Sequence, residues 1–216
     1  LFIFWELTAV SSVLLIWARR SNRSFGAGKR YLIVQLLSGM LLLAGTLIYV
    51  AGGGTLAFEH FTPDQPGALL LLAAFGVKAA FPFLHCWVPD SYPEATETGT
   101  VVLSAFTTKL GIYALARGFA GTEELIVVGT LMAGFPIFYA VIENDLRRVL
   151  AYSLINQVGF MVVGIGIGTA LAINGAVSHA FNDVIFKGLL FMTMGAVLHM
   201  TGRINGSDLG GLYKTM

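Results

Sequence analysis

Cysteine occurs once, at Cys86, in a chain of 216 residues. A single thiol excludes a disulfide framework and a cysteine-built metal cluster. Charge is also scarce, at 12% of residues, against roughly 25% in a soluble domain. A formal net charge of +1 offers no electrostatic footing for nucleic acid, so no such partner is expected. No basic region precedes the first apolar run, which starts at Leu1, so the N-terminal segment does not read as a signal peptide. The chain ends in the polar stretch GGLYKTM. It reads as an internal piece, residues 1–216, of one larger transmembrane domain with both ends missing.

What abounds is apolar: 56% of residues are hydrophobic. Backbone groups in hydrocarbon must bond internally, and the apolar runs far exceed the ~9–11 residues of a barrel strand. The expected fold class is therefore all-α, a polytopic transmembrane helical bundle. Seven spans are expected, near 1–18, 31–50, 69–87, 100–116, 125–142, 149–170 and 174–199. Pro82 lies inside the third and Pro89 just after it. Pro82 has no amide hydrogen and its ring clashes with the carbonyl of Lys78, so this helix should be interrupted between Lys78 and Trp87. The freed carbonyl should face a polar pathway. GIGIG at Gly164–Gly168 has a Gly-x-x-x-Gly spacing. It predicts close helix packing, since no strand precedes it to make a nucleotide loop.

The loop RRSNRSFGAGKR carries five basic residues and no acid, which marks it as cytoplasmic. Alternating from there puts nine of the thirteen basic residues inside and only Arg117 outside. The acidic loop VPDSYPEATETG is expected on the same inner side. Glu143, Asp145, Arg147 and Arg148 read as a solvated, helix-capping turn. Glu59 and His60 read as a solvated external loop and His199 as interfacial. The Asn205-Gly206-Ser207 glycosylation pattern is discounted because it falls on the cytoplasmic side.

Three lysines lie within spans: Lys78, Lys109 and Lys187. An ammonium at a bilayer centre costs at least ~2.5–3.5 kcal/mol, so each calls for a polar pathway inside the bundle. Glu6 lies in the first span. A charge pair at about 4 Å with an effective dielectric of ~20 is worth about 4 kcal/mol. Opening and closing a Glu6–Lys78 pair could thus load or release a proton. Snorkelling to an interface is the alternative for Lys78, and its mid-span position argues against it. His85 lies on the same helical face, about 10 Å on, and is a secondary candidate. Lys109 follows Ser104, Thr107 and Thr108, hydroxyls that either hold water or bond the preceding turn. His179, Asp183 and Lys187 recur every four residues on one face of the seventh span. They read as a relay of titratable groups, or else as a self-neutralised ladder along one helix. No metal site or cofactor is expected, because the adjacent His85 and Cys86 point to different faces.

The segment FGVKAAFPFLHCWVPDSYPEAT closely resembles a signature of the antiporter-like membrane subunits of respiratory complex I and of Mrp-type cation/proton antiporters. Its parts are Lys78, Pro82, Leu84-His85-Cys86-Trp87, Pro89-Asp90 and Glu94-Ala95-Thr96. Lys109, thirty-one residues on, matches the family's second lysine-bearing helix. FWEL resembles its glutamate helix, ENDLRRVLAYSLINQVGFM its turn and next helix, and HAFNDVIFKGLLF its histidine helix. The resemblance implies a fourteen-helix core with two inverted five-helix repeats and a broken helix in each. This chain would hold roughly the fifth to the eleventh. It also implies an input pair, Glu6 and Lys78, and lateral proton movement through Lys109 towards a residue on a twelfth helix beyond this sequence. Glu97 and Asp183 depart from the usual pattern.

The implied protein is a proton-translocating subunit in a bacterial cell (inner) membrane. Its implied partners are other membrane subunits, lipid, protons and Na⁺ or K⁺. The sequence looks most like the D-type subunits of Na⁺/H⁺ antiporters. An antiporter-like subunit of NADH:quinone oxidoreductase is the alternative, and a structural assembly subunit without transport is another. No catalytic centre is expected in this chain. Buried lysines argue against a passive cation channel, which needs rings of acids or carbonyls.

Overall fold

The computed structural model describes residues 1–214. Its helices are α1 (Phe2–Trp17), α2 (Asn22–Ala51), α3 (Ala68–Lys78), α4 (Trp87–Ser91), α5 (Glu97–Gly118), α6 (Glu124–Ile142), α7 (Leu146–Ile167) and α8 (Ala170–Thr201). Five of them, α2 and α5 to α8, are long and apolar enough to cross a membrane, while α1 and α3 are shorter apolar helices. Each expected span coincides with a helix, the third with α3 followed by the short α4. One boundary differs widely. Ser21 and Ser24 form a reciprocal capping box that starts α2 at Asn22, nine residues before the apolar run. The capping box starts helix in a segment expected as loop, and Arg23, Ala27, Lys29 and Arg30 carry it through two glycines into the apolar run.

α5 is the central helix, packing on α1, α3, α7 and α8. α5 and α7 are largely buried, whereas α2, α6 and α8 expose apolar side chains outward, as helices facing lipid do. α1 and α2 run antiparallel. Trp5 Nε1 donates to Ser38 Oγ at 3.0 Å, and Ser38 donates on to the Ala74 carbonyl of α3 at 2.8 Å. α6 and α7 approach through glycines: a Cβ on Gly129 would come within 2.7 Å of the Val163 amide. The GIGIG expectation is met. A Cβ on Gly164 would stand 3.1 Å from Ala176 of α8, and Gly168 takes φ 72° to end α7.

The third span breaks after Lys78. The Phe81 amide donates to the Gly76 carbonyl at 2.9 Å and the Ala80 amide to Val77 at 3.2 Å. With Ala80 at φ 63°, this is a Schellman stop, and Pro82 follows where no helix can resume. A left-handed alanine is disfavoured by roughly 1–2 kcal/mol. Trp87 opposes that cost by donating its indole N–H to the Val77 carbonyl at 3.0 Å. The hydrogen-bonded carbonyl at the break is thus Val77's. That of Lys78 abuts Gly111 of α5, where a Cβ would lie 3.1 Å from its carbon.

The basic segment and the acidic loop expected on the same side do meet. Arg30 grips Asp90 with two bonds of 2.7 Å, and Arg19 and Arg23 each reach Glu94 at 3.4 Å. In the turn before α7, Asp145 caps the helix as expected, accepting from the amides of Arg147 at 2.9 Å and Arg148 at 3.2 Å. Arg147 itself corrects the expectation of a solvated turn. Its side chain is buried and donates to the carbonyls of Pro93, Tyr92, Ala95 and Thr96 and to Thr100 Oγ1. The guanidinium is tolerated inside because the bent backbone just before α5 supplies carbonyl acceptors and Thr100 in its first turn adds a hydroxyl. At the other end of the bundle, Arg117 donates to the Phe58 carbonyl at 3.2 Å, and Glu59 and His60 are exposed.

Candidate functional site

α3 delivers Lys78, its last residue, to the floor of the break. The side chain is 1% exposed. Nζ donates to the Trp5 carbonyl at 3.1 Å and sits 4.4 Å from the centre of the Trp5 ring. That carbonyl belongs to the residue before Glu6, so α1 presents both to the same amine. Glu6 and Lys78 interact electrostatically without closing into a salt bridge. The Glu6 carboxylate packs on Gly39 of α2, where an added Cβ would overlap Oε1. A side chain at position 39 would push the carboxylate away.

The second group lies across α5. Lys109 Nζ pairs with Asp183 Oδ2 at 2.5 Å and donates to the Ser104 carbonyl at 2.9 Å. Lys187, one turn along α8 from Asp183, donates to Ser153 Oγ of α7 at 2.5 Å and lies 5.6 Å from the Phe186 ring. Asp183 thus takes its partner from another helix, and the ladder along α8 does not close on itself. Lys187 still feels the charges of Asp183 and Lys109. The fully buried Asp183 carboxylate is paired with Lys109 and only electrostatically coupled to Lys187, so with both amines protonated the set would carry one net positive charge. Losing a single proton from either lysine leaves a neutral set. Of the hydroxyls before Lys109, Ser104 and Thr107 bond the preceding turn, at 2.8 and 2.6 Å, while Thr108 Oγ1 is buried and meets no protein partner among the described residues.

His179 lies one turn from Asp183, between the rings of Phe160 and Phe186, and its Nε2 meets no protein partner among the described residues. Because α3 ends at Lys78, His85 does not continue that helical face as expected; its ring lies edge-on to Phe135 of α6 with centroids 4.7 Å apart. The structure therefore gathers Lys109, Asp183 and Lys187 and sets Glu6 beside Lys78, with α5, which carries Lys109, packed on both α3 and α8. Arg147 was read from sequence only as part of a solvated turn, and Gln35 and Tyr31 were not singled out. A lone glutamine and a tyrosine in the apolar run YLIVQLLSG were the only signals for the last two.

A bundle with charged side chains strung between its inner helices, and apolar surface outside, defines a polytopic membrane protein built around an internal charged array. The chain belongs to the family described as NADH:quinone oxidoreductase/Mrp antiporter, TM, which matches residues 1–216. It is 32% identical to the L subunit of F(420)H(2) dehydrogenase from Methanosarcina mazei, covering all of this chain and 38% of that one. Na(+)/H(+) antiporter subunits A and D of Alkalihalophilus pseudofirmus are 35% and 31% identical over the whole chain, which covers 31% and 48% of their lengths. Among solved structures, the Mrp complex from Dietzia sp. DQ12-45-1b superposes with a TM-score of 0.91 at 25% identity, over 99% of this chain and 43% of that one. The chain thus spans less than half the length of each. Antiporter subunits of both the A and the D type match, so the likeness to the D type does not single out one position in such an assembly.

Proposed function

We propose that the full protein is a proton-translocating membrane subunit of a multisubunit cation/proton antiporter of the Na⁺/H⁺ type. It assembles with other membrane subunits, in the cell (inner) membrane if its source is bacterial. Glu6 and Lys78 exchange a proton at the break. Lys109 passes it across α5, and Asp183, Lys187 and His179 carry it onward along α8, with His85 in a secondary role. The observation that carries this reading is the buried Lys109–Asp183 pair with Lys187 beside it. Such a set is neutral with one lysine proton removed and singly positive with it present, so it offers a place where a proton is taken up and given off. Three separate ammonium groups facing lipid would each be disfavoured by ~2.5–3.5 kcal/mol, whereas one shared polar interior relieves all three. The test is proton flux in vesicles carrying the full complex. Lys78→Ala should abolish coupled transport while the complex still assembles, and normal transport in that variant would end the proposal.

The match to a dehydrogenase subunit supports a second reading, in which the same proton route serves a redox-driven complex. Transport that requires electron flow, rather than an imposed cation gradient, would select it. A purely structural assembly subunit would show unchanged flux in every lysine variant.

A further inference from the structure

We propose that the face of the Trp5 ring is the seat that holds the Lys78 ammonium while the Glu6–Lys78 pair is open. The inference deepens the proton-transfer reading above and rests on it. It starts from a contrast among the three buried lysines. Lys109 has the Asp183 carboxylate at 2.5 Å and the Ser104 carbonyl at 2.9 Å, and Lys187 has the Ser153 hydroxyl at 2.5 Å. Lys78 pairs with no carboxylate and no hydroxyl among the described residues. Its Nζ has the Trp5 carbonyl at 3.1 Å and the centre of the Trp5 ring at 4.4 Å. An ammonium carries three donor hydrogens, so one neutral carbonyl does not satisfy it. Indole is the best side-chain ring for a cation on its face, and the attraction grows once water is excluded. Both partners here are buried, Trp5 with no exposed surface at all.

The ring is fixed and the carboxylate is not. Trp5 donates its indole N–H to Ser38, which donates on to the Ala74 carbonyl. Ala74 stands about one turn before Lys78 on α3, so the ring is tethered to the helix that carries the lysine. Phe75 packs on the ring with centroids 5.5 Å apart. Glu6 is the one charged group that acts on Lys78 among the described residues; α2 and α5, the helices packed on α3, turn none towards it. The protein gives the Glu6 carboxylate no hydrogen bond among the described residues, and it rests in the notch left by Gly39.

Consecutive residues of α1 thus offer the amine two unlike partners, a rigid ring at Trp5 and a movable carboxylate at Glu6. When Glu6 withdraws, the ammonium stays seated on the ring and keeps its proton for the next step. Trp5 acts through Lys78 and is a positioning residue, whereas Glu6 exchanges the proton.

The test places mono-, di- and trifluorotryptophan at position 5 of the full complex by nonsense suppression, and reads proton flux against pH in proteoliposomes. Each fluorine withdraws electron density from the ring face while nearly keeping its shape and its bond to Ser38. The pH of half-maximal flux on the alkaline side should move down step by step, by roughly one unit across the series, a tenfold change in proton affinity. The same series at Trp87, whose ring has no cation over it among the described residues, should leave the profile in place. A tryptophan that only fills space would give a flat series at position 5, and that result would overturn the proposal. So would a shift to higher pH, or an equal shift from Trp87. Normal flux in Lys78→Ala would instead sink the function on which the proposal rests. An inactive Lys78→Ala beside a flat series at position 5 would sink the ring's role alone.

Discussion

Asp183→Asn should be the most damaging single change in the charged interior. The carboxylate faces Lys109 at 2.5 Å and is fully buried. At that distance and an effective dielectric of ~20, the direct attraction is about 7 kcal/mol, most of it offset by desolvation. Removing one partner of a buried pair destabilises by about 3–5 kcal/mol, because the other charge is left uncompensated. Asp183→Asn strands two ammonium groups and belongs at the upper end of that range. Lys109→Met leaves Asp183 beside Lys187, so its loss should fall at or below the lower end. The double variant Lys109→Met/Asp183→Leu removes both members and should recover at least ~1 kcal/mol relative to Asp183→Asn, within the usual coupling range. Denaturant unfolding of the purified full protein in detergent gives all three values. An Asp183→Asn protein as stable as wild type, or one less harmed than Lys109→Met, would show that Asp183 does not hold the two amines in place.

Arg147→Met should destabilise by about 3 kcal/mol or more, since at least two charge-assisted bonds of ~1.5–3 kcal/mol each are lost. Arg147→Lys should not restore stability, because one ammonium cannot span carbonyls from Tyr92 to Thr96; the same unfolding assay reads both. Gly111→Val should cut proton flux by roughly tenfold or more, because its Cβ would lie 2.8 Å from the Ala79 amide and 3.1 Å from the Lys78 carbonyl carbon. Gly134→Ala, with no heavy atom within 4 Å of the new Cβ, is the control that should leave flux unchanged.

The spans were legible because apolar runs of this length have one solution in hydrocarbon, and the break was legible because Pro82 forbids continuation. The left-handed turn at Ala80 that ends α3 was not, since an alanine carries no mark of it. Asp183's true partner was hidden for a different reason. Sequence spacing puts His179, Asp183 and Lys187 on one face, but only the packing of α5 on α8 decides that Lys109 reaches the carboxylate first. Arg147 looked solvated because its neighbours are polar. Its acceptors are carbonyls some fifty residues earlier, a relation no local pattern encodes. Glutamine in a membrane run is equally mute: whether Gln35 faces a partner or a gap depends on the register of two helices.

If protons cross the bundle through Lys109, removing its amine should stop them. Proton flux through the full complex in proteoliposomes, wild type against Lys109→Met, tests it most directly. Methionine keeps most of the volume and removes the titrating amine. The expected result is an assembled complex that has lost most of its proton movement. Flux at the wild-type rate from that assembled variant would contradict it.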